Sequence, residues 1–188
     1  MEEAEVDDPE QPHREQLHGG IRALQEMRSS GVIRAFGAGL NSAEGREEAA
    51  YRKWNRDYVD FLLEASGRDG ARPLDFFLLA GTHTLLNHSA HLDGLLDACQ
   101  KKGVGVVIGG AFNSGILAVG AVKKARYDYE PASDEILDRV RALQSVCDSH
   151  GVNLPAAALQ YPLGHPSVAT VIVGAKSPLE VEQAKSRM

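Results

Sequence analysis

Four short apolar runs constrain the fold of this chain more than any other feature. They are Val32 to Gly39, Pro73 to Gly81, Val104 to Gly110 and Val168 to Val173. Each is rich in branched or aromatic residues and shows little polar alternation, which is typical of strands that are buried on both faces. Because helix-forming stretches separate the runs, the pattern predicts an α/β fold with a parallel sheet and four βα units.

The stretches between these strands carry helical spacing. The predicted helices begin near His13 and then cover Ala43 to Glu64, His91 to Lys102, Ser133 to His150 and Leu154 to Tyr161. Ser133 is a favoured residue before a helix, and Gly151 is a favoured residue after one. Residues 1–12 are acidic, contain prolines and lack an apolar period. We expect them to be disordered or a remnant, and residues 13–188 to form one ordered domain.

The length of the chain limits the kind of α/β fold. A complete eight-unit α/β barrel takes about 250 residues, whereas this chain has 188. Four βα units amount to half a barrel, which leaves two sheet edges open and one sheet face uncovered. We expect Phe76, Leu78, Val106 and Ile108 on that inward face. Such a chain should self-associate, pair with a complementary half, or be marginally stable.

Composition and charge exclude several classes of partner. The net charge is −6, with no cluster of Lys and Arg, which argues against binding to nucleic acid or acidic membranes. No apolar run approaches the ~20 residues that span a bilayer. The two cysteines, Cys99 and Cys147, lack CxxC spacing, and no secretory signal precedes them. We therefore expect reduced thiols and a cytoplasmic protein.

The loops after the four strands are the predicted functional site, because such loops build the sites of α/β barrels. They read GAGLN from Gly37, AGTHTLLNH from Ala80, GGAFNSGIL from Gly109 and VGAKSP from Val173. Glycine permits close backbone approach, and exposed amides there bind phosphate oxygens. Taken singly, each loop is more often a simple turn. Their repetition on successive strands favours a binding edge.

Two stretches carry a resemblance to a known family. VGVVIGGAFNSGIL from Val104 and SVATVIVGAKSPLEVEQ from Ser167 resemble the C-terminal half of aldo-keto reductases. They are most similar to the aldose 1-dehydrogenase branch, which comprises L-fucose, L-galactose and D-threo-aldose dehydrogenases and their pyridoxal dehydrogenase relatives. The similarity runs from about Leu17 to Gln183. It implies a partial (βα)8 TIM barrel of the last four units, from an NAD(P)-dependent oxidoreductase that acts on a small sugar or aldehyde.

The resemblance also implies which residues hold the cofactor. Asn41 would hydrogen-bond the nicotinamide carboxamide, the loop after the third strand would cover the pyrophosphate, and the last loop and helix start would hold the adenosine ribose and adenine. The residues are Phe112, Ser114, Gly115 and Leu117 in the first of these loops and Gly174, Lys176, Glu180 and Gln183 in the second. A helix N-terminus offers unpaired amides and a positive dipole to an anion, which gives the last placement a physical reason.

Departures from the family pattern bear on the cofactor. The glutamine that many members place against the nicotinamide corresponds to Ala80, and the aromatic residue that stacks on the ring falls near His83 or Gly110. Glu180 stands where NADP-preferring members often have glutamine. A carboxylate near the ribose favours a 2′-hydroxyl over a 2′-phosphate, whereas Lys176 acts in the opposite direction. We expect NAD or NADP as the cofactor, with NAD favoured.

The catalytic residues of the family are not found in this chain. They are an aspartate, a tyrosine, a lysine and a histidine; VDDPE from Val6 resembles the family's LHDPE, with Asp7 in the place of the histidine. A carboxylate there would repel a developing alkoxide. We expect activity only if an N-terminal half is supplied. The alternative is an inactive remnant, a nucleotide-binding protein or an assembly partner, including a homo-oligomer formed through the open sheet edges.

Two further groups of side chains have alternative interpretations. A metal site at His83, His88 and His91 is disfavoured, because no acidic residue lies beside them at ligand spacing. Tyr127 and Tyr129, in RYDYEP, are predicted to pack in a connecting loop. A contact with substrate is the alternative for these two tyrosines.

Overall fold

The structure, a computed structural model, describes residues 11–41, 58–64 and 74–188, without the side chains of residues 11–18, 91 and 92. Its α-helices are α1 (Gln11–Ser29), α2 (residues 58–64), α3 (Ser89–Leu92), α4 (Leu95–Lys102), α5 (Ile116–Val119), α6 (Asp134–Ser149), α7 (Leu154–Gln160) and α8 (Pro178–Ser186). Its strands are β1 (Gly37–Asn41), β2 (Phe76–Ala80), β3 (Gly105–Gly109), β4 (Arg126–Tyr127), β5 (Glu130–Pro131) and β6 (Val168–Val171). A 3-10 helix, Tyr161–Gly164, follows α7.

Four of the strands form one parallel sheet in the order β1-β2-β3-β6. This confirms the α/β arrangement that the apolar runs predict. The strands β4 and β5 form a separate antiparallel hairpin, which the sequence analysis did not predict. Within the described residues, no strand pairs with the outer edge of β1 or of β6. In the described part of the chain, both outer strands of the sheet thus lack a neighbour, which agrees with part of a barrel.

The first strand begins later than predicted. Gly31, with a φ of 77°, ends α1, and the amides of Val32 and Ile33 donate to the carbonyl oxygen of Met27. Val32 is 69% exposed, so its apolar side chain does not contribute to the core. Pairing with β2 starts only at Gly37. Val32 and Ile33 thus close off the helix, whereas Phe36 enters the core and its carbonyl oxygen accepts from the amide of Asp75.

One predicted helix is divided in two. The stretch His91 to Lys102 was predicted as continuous, but α3 ends at Leu92 and α4 begins at Leu95. Gly94 lies between them with a φ of 73°, a left-handed conformation that interrupts a right-handed helix and that glycine adopts without steric cost. Ser133, by contrast, precedes α6 as predicted, and its hydroxyl accepts a hydrogen bond from the amide of Ile136.

The two faces of the sheet differ in burial. The face toward the helices is closed: Phe77, Leu79, Val106 and Ile108 are all 0% exposed. The prediction that Val106 and Ile108 share a face with Phe76 and Leu78 is wrong, because Phe77 lies beside Val106 in the register and Leu79 beside Ile108.

The open face is lined largely by small residues. Beside Phe76 and Leu78 in the register lie Gly105 and Val107 of β3, and these four residues are only half-buried. Side chains alternate between faces along a strand, so a shift of one residue moves a whole strand's set to the other face. Among the described residues, the less buried face of the sheet therefore carries Val107 with Phe76 and Leu78, and not Val106 and Ile108.

An ion pair joins α1 to the amino ends of β1 and β2. Arg28 Nη1 donates to Asp75 Oδ2 over 2.8 Å, and both side chains are largely buried, at 13% and 16% exposure. The same carboxylate oxygen accepts from the amide of Phe36, and the Arg28 guanidinium lies 4.9 Å from the centre of the Phe36 ring. This cluster lies at the opposite end of the sheet from the predicted site, so it serves the fold.

Some predictions lie outside the described residues. Of the predicted helix Ala43 to Glu64, only residues 58–64 are described; they are helical, and Val59, Leu62 and Leu63 enter the core. The first helix begins at Gln11, slightly before the predicted start, and nothing is described of residues 1–10. In the part of the chain that is described, no helix has the length and apolar character needed to cross a membrane.

Candidate functional site

The carboxyl ends of the four parallel strands lie along one edge of the sheet. Asn41 of β1 pairs with Ala80 of β2, which pairs with Gly109 of β3. The amide of Ile172, just beyond β6, donates to the carbonyl oxygen of Ile108. The loops that follow these strands therefore start side by side, and the structure brings all nine predicted cofactor-binding residues to this edge or to the elements that lead from it.

The loop after β3 has an unusual backbone. Asn113, Ser114 and Gly115 have φ values of 44°, 56° and 95°, so three successive residues are left-handed. The amides of Gly115 and Leu117 both donate to the carbonyl oxygen of Phe112. The amides of Phe112 and Ser114, in contrast, donate to no group in the described part of the chain. The amide of Asn113, between them, donates to the carbonyl oxygen of Gly110. Backbone amides that are left free in a turn can bind an anion.

The Ser114 side chain links this loop to the β4–β5 hairpin. Its hydroxyl oxygen accepts a hydrogen bond of 2.9 Å from the amide of Tyr129. Asp128 and Tyr129 both have positive φ, 49° and 67°, which is the backbone of a type I′ turn. The Tyr129 side chain is 79% exposed beside the loop, whereas Tyr127 packs against the apolar cluster around α5 and α6. The packing prediction is therefore confirmed for Tyr127 and wrong for Tyr129.

Leu117 and Phe112 are held by the protein itself. Leu117 is fully buried in a second apolar cluster formed by α5, α6 and α7, and Phe112 packs against the same cluster. The Leu117 side chain therefore anchors the loop and is not available to a ligand. The assignment of Leu117 to cofactor binding stays a prediction, and only its backbone could make such a contact.

The loop after β6 leads into a well-capped helix. Ser177 precedes α8, and its hydroxyl accepts a hydrogen bond from the amide of Glu180, while the Glu180 carboxylate accepts one of 2.9 Å from the amide of Lys176. This reciprocal arrangement is a form of the capping box. Gly174, Lys176 and Gln183 are exposed. The helix start thus carries one carboxylate and one ammonium group, which act in opposite directions on a nearby phosphate.

The open face beside Asn41 is shaped by glycine. A Cβ atom added at Gly39 would meet nothing within 4 Å, and one added at Gly109 would only make ordinary contacts, starting at 3.8 Å. Asn41 itself is exposed. Ala80, beside Asn41 in the register, adds little bulk. Among the described residues, nothing therefore fills the space next to Gly39 at this end of the open face.

A group of imidazole and phenol rings includes two histidines of the loop after β2. His83 is buried, with its ring centre 5.2 Å from that of Tyr161 and 6.4 Å from that of His165. His88 stacks on Tyr161, and burial raises the pKa of the Tyr161 phenol. His165 lies 3.4 Å from Asp97. The structure brings no three potential metal ligands together among the residues whose side chains it describes, and the side chain of His91 is not one of these.

Sequence reasoning missed Asn113, although it lies between two predicted residues. Asn113 is 7% exposed, and its side-chain oxygen Oδ1 is buried without a hydrogen-bond partner in the described structure. The available signal was an asparagine directly before Ser-Gly in a loop, because asparagine tolerates a left-handed backbone better than most residues. Nothing in the sequence indicates that its carboxamide is buried.

The fold and this edge define an α/β protein whose strand-end loops present free amides and a helix start. The chain belongs to the aldo/keto reductase family, whose model matches residues 5–187. This confirms the resemblance that the two C-terminal stretches carry.

Characterised relatives agree with the branch as well as the family. The chain is 38% identical over 165 residues to pyridoxal 4-dehydrogenase of Microbacterium luteolum. The aligned region covers 88% of this chain and 42% of the relative. It is 33% identical over 168 residues to D-threo-aldose 1-dehydrogenase of a Pseudomonas species, covering 89% of this chain and 45% of the relative. The chain therefore spans less than half the length of these relatives.

Solved structures support the fold. An aldo-keto reductase from Bacillus halodurans, in its apo form, superposes with a TM-score of 0.61 at 22% identity, over 97% of this chain and 52% of its own. A thermostable aldo-keto reductase in complex with epalrestat gives 0.59 at 19% identity, over 91% of this chain and 48% of its own. The sheet is thus part of an α/β TIM barrel, as predicted. Asp7, the residue expected at the catalytic histidine position, lies outside the described residues.

Proposed function

We propose that this chain supplies the cofactor-binding half of an NAD(P)-dependent oxidoreductase similar to the aldose 1-dehydrogenases. One observation carries the proposal: the free amides after β3 and the helix start after β6 lie at the same edge, because β3 and β6 are neighbours in the sheet. Both features favour negatively charged oxygens. The diphosphate of a dinucleotide carries such oxygens.

The loop after β3 would hold the pyrophosphate. The amides of Phe112 and Ser114 are the free donors, and the left-handed turn through Gly115 brings them to the edge. The buried side chain of Leu117 anchors the loop in the second apolar cluster. A diphosphate placed here would receive hydrogen bonds without displacing an existing one, because neither amide is used by the described protein.

The loop after β6 would hold the adenosine end, and Asn41 the nicotinamide. Gly174 leaves space for the ribose, and Lys176 and Gln183 are exposed to contact it and the adenine. Glu180 sets the preference between cofactors, because its carboxylate disfavours a 2′-phosphate. We therefore propose NAD as the preferred cofactor, and we place Asn41 against the carboxamide.

The reaction would be oxidation of an aldose at C1. The nicotinamide, when bound, supplies the acceptor for the hydride that leaves C1. The proton of the C1 hydroxyl passes to a base, and the cyclic sugar becomes an aldonolactone. The resemblance assigns that base to a tyrosine in the N-terminal half of the family's barrel. The residues of this chain bind and orient the cofactor, and they do not carry the proton.

Activity would require the N-terminal units of the family's barrel as well. The half-buried open face and the free edges of β1 and β6 are the surfaces on which four more strands would complete the barrel. A polypeptide with the family's N-terminal units would supply catalytic residues as well as strands. A second copy of this chain would supply strands alone, giving a closed but inactive homodimer. We place the protein in the cytoplasm, where its two free cysteines would remain reduced.

Complementation tests this function. The chain would be co-expressed with the N-terminal half of the Microbacterium luteolum relative, and NADH formation would be followed with pyridoxal and with D-threo-aldoses as substrates. We expect activity from the mixture and none from either half alone. A stable complex without activity towards these substrates would favour the alternative, a non-catalytic nucleotide-binding or assembly protein. The observations that favour that alternative are Asp7 and Ala80 in place of the family's histidine and glutamine.

A further inference from the structure

Asn113 is a buried polar residue with an unused acceptor. The residue is 7% exposed, and its Oδ1 accepts from no group of the described chain. A buried acceptor without a donor costs folding free energy, so native structures rarely keep one without a reason. A donor from outside the described chain would remove this cost.

The backbone alone does not explain this residue. Asn113 has a φ of 44°, which asparagine tolerates but glycine adopts at lower cost. Of the other left-handed positions in this loop, Gly110 and Gly115 are glycines, whereas Ser114 is not. A third glycine would meet the same backbone requirement without burying a carboxamide. The side chain therefore calls for a second role.

The chemistry of the loop indicates what that role is. An unpaired carbonyl oxygen requires a hydrogen-bond donor, which a hydroxyl group offers and a phosphate oxygen does not. The neighbouring amides of Phe112 and Ser114 are free donors and require an acceptor such as phosphate. Together the loop matches a ligand that carries a hydroxyl group close to a diphosphate. A ribose diphosphate has this arrangement.

We propose that the Asn113 carboxamide binds a ribose hydroxyl of the dinucleotide, next to the diphosphate that the Phe112 and Ser114 amides hold. The inference rests on the proposed function and adds to it a residue that the resemblance does not assign. The terminal torsion of asparagine is broad, so a half-turn that exchanges Oδ1 and Nδ2 is accessible. Such a turn allows the oxygen to meet a donor that arrives with the ligand.

Asn113→Gly tests the inference, because glycine keeps the left-handed backbone and removes only the carboxamide. Asn153→Gly is the matched control: Asn153 precedes α7, and its Oδ1 is already used by the amide of Ala156. Binding of NADH would be measured by fluorescence titration, with inorganic pyrophosphate as a competitor, and unfolding by thermal melts.

We expect Asn113→Gly to weaken NADH binding roughly tenfold, the loss of about one hydrogen bond. Pyrophosphate should compete with NADH for this variant as it does for the wild type, and the melting temperature should be unchanged or higher. The control should bind NADH as the wild type does. NADH binding by Asn113→Gly at wild-type affinity would overturn the inference and leave the proposed function intact. A clear fall in its melting temperature would also overturn it, since the carboxamide would then be needed by the fold. Wild-type protein that binds neither probe would overturn both.

Discussion

The two faces of the central sheet differ in how deeply their side chains are buried. The face under the helices is closed by Phe77, Leu79, Val106 and Ile108, none of which is exposed. The other face presents Phe76 and Leu78 among glycines and remains half-buried. Buried apolar area is the main source of stability, so the closed face holds this chain together. The open face and its carboxyl edge contribute less to stability, and the proposed function assigns them to a partner and a ligand.

The largest expected effect is a difference in unfolding free energy between substitutions at two neighbouring residues of β2. Leu79→Ala removes a fully buried side chain and should cost about 2–5 kcal/mol of unfolding free energy. Leu78→Ala, on the open face, should cost about 1 kcal/mol or less, because its side chain already meets solvent. Urea denaturation followed by circular dichroism measures both. Equal losses would show that the open face is covered in solution.

Two glycines of β1 provide a second matched pair. A Cβ atom added at Gly37 would lie 2.3 Å from the carbonyl oxygen of Phe76, whereas one added at Gly39 meets nothing within 4 Å. Gly37→Ala should therefore destabilise the chain by about 1–3 kcal/mol. Gly39→Ala should be neutral or stabilising by up to about 1 kcal/mol, because it restricts the unfolded chain. A stable Gly37→Ala variant, judged by the same denaturation, would contradict the close pairing of β1 with β2.

At the carboxyl edge, Glu180→Gln should change cofactor preference more than stability. Glutamine can still accept the hydrogen bond from the amide of Lys176, so the cap is kept while the negative charge is removed. Affinity for NADPH should rise severalfold relative to NADH, because the 2′-phosphate no longer faces a carboxylate. The ratio of the two dissociation constants is the measurement. An unchanged ratio would place the 2′-position away from Glu180.

The smallest expected effect is on the reactivity of the Cys99 thiol, which is buried between the closed face and the helices. Burial raises the pKa of its thiol to about 12, so at pH 8 only about one thiol in ten thousand is ionised. Folded protein should resist alkylation by iodoacetamide at this site, and unfolded protein should react. Since the folded pKa lies above the unfolded one, this contribution to stability is complete below about pH 8.5 and is lost as the pH rises towards 12. Peptide mapping by mass spectrometry checks the labelling, and rapid native labelling of Cys99 would show that the helical layer opens.

The order of strands and helices follows from sequence, but the assignment of side chains to faces does not. Continuous apolar runs such as Val104 to Gly110 lack alternation, so nothing in them distinguishes inward from outward residues, and Val106 and Ile108 were placed on the wrong face. Pairing register is a property of two strands, and a single run does not contain it.

Residue preferences for turns and helix ends also did not predict the backbone details of the site. The break at Gly94 and the turn at Asp128 and Tyr129 depend on left-handed residues, and the turn contains none of the glycines that usually announce it. The loops after β3 and β6 were predictable because glycine and small polar residues recur after each strand. The buried carboxamide of Asn113 was not, since burial depends on the residues that surround it in the fold.

Titration of the purified chain with NADH and NADPH tests the central claim most directly, with calorimetry to report affinity and circular dichroism to confirm that the sample is folded. We expect saturable binding of NADH, weaker binding of NADPH, and competition by pyrophosphate at the loop after β3. A folded chain that binds neither dinucleotide would contradict the central claim, because the free amides and the helix start would then not form a working cofactor site.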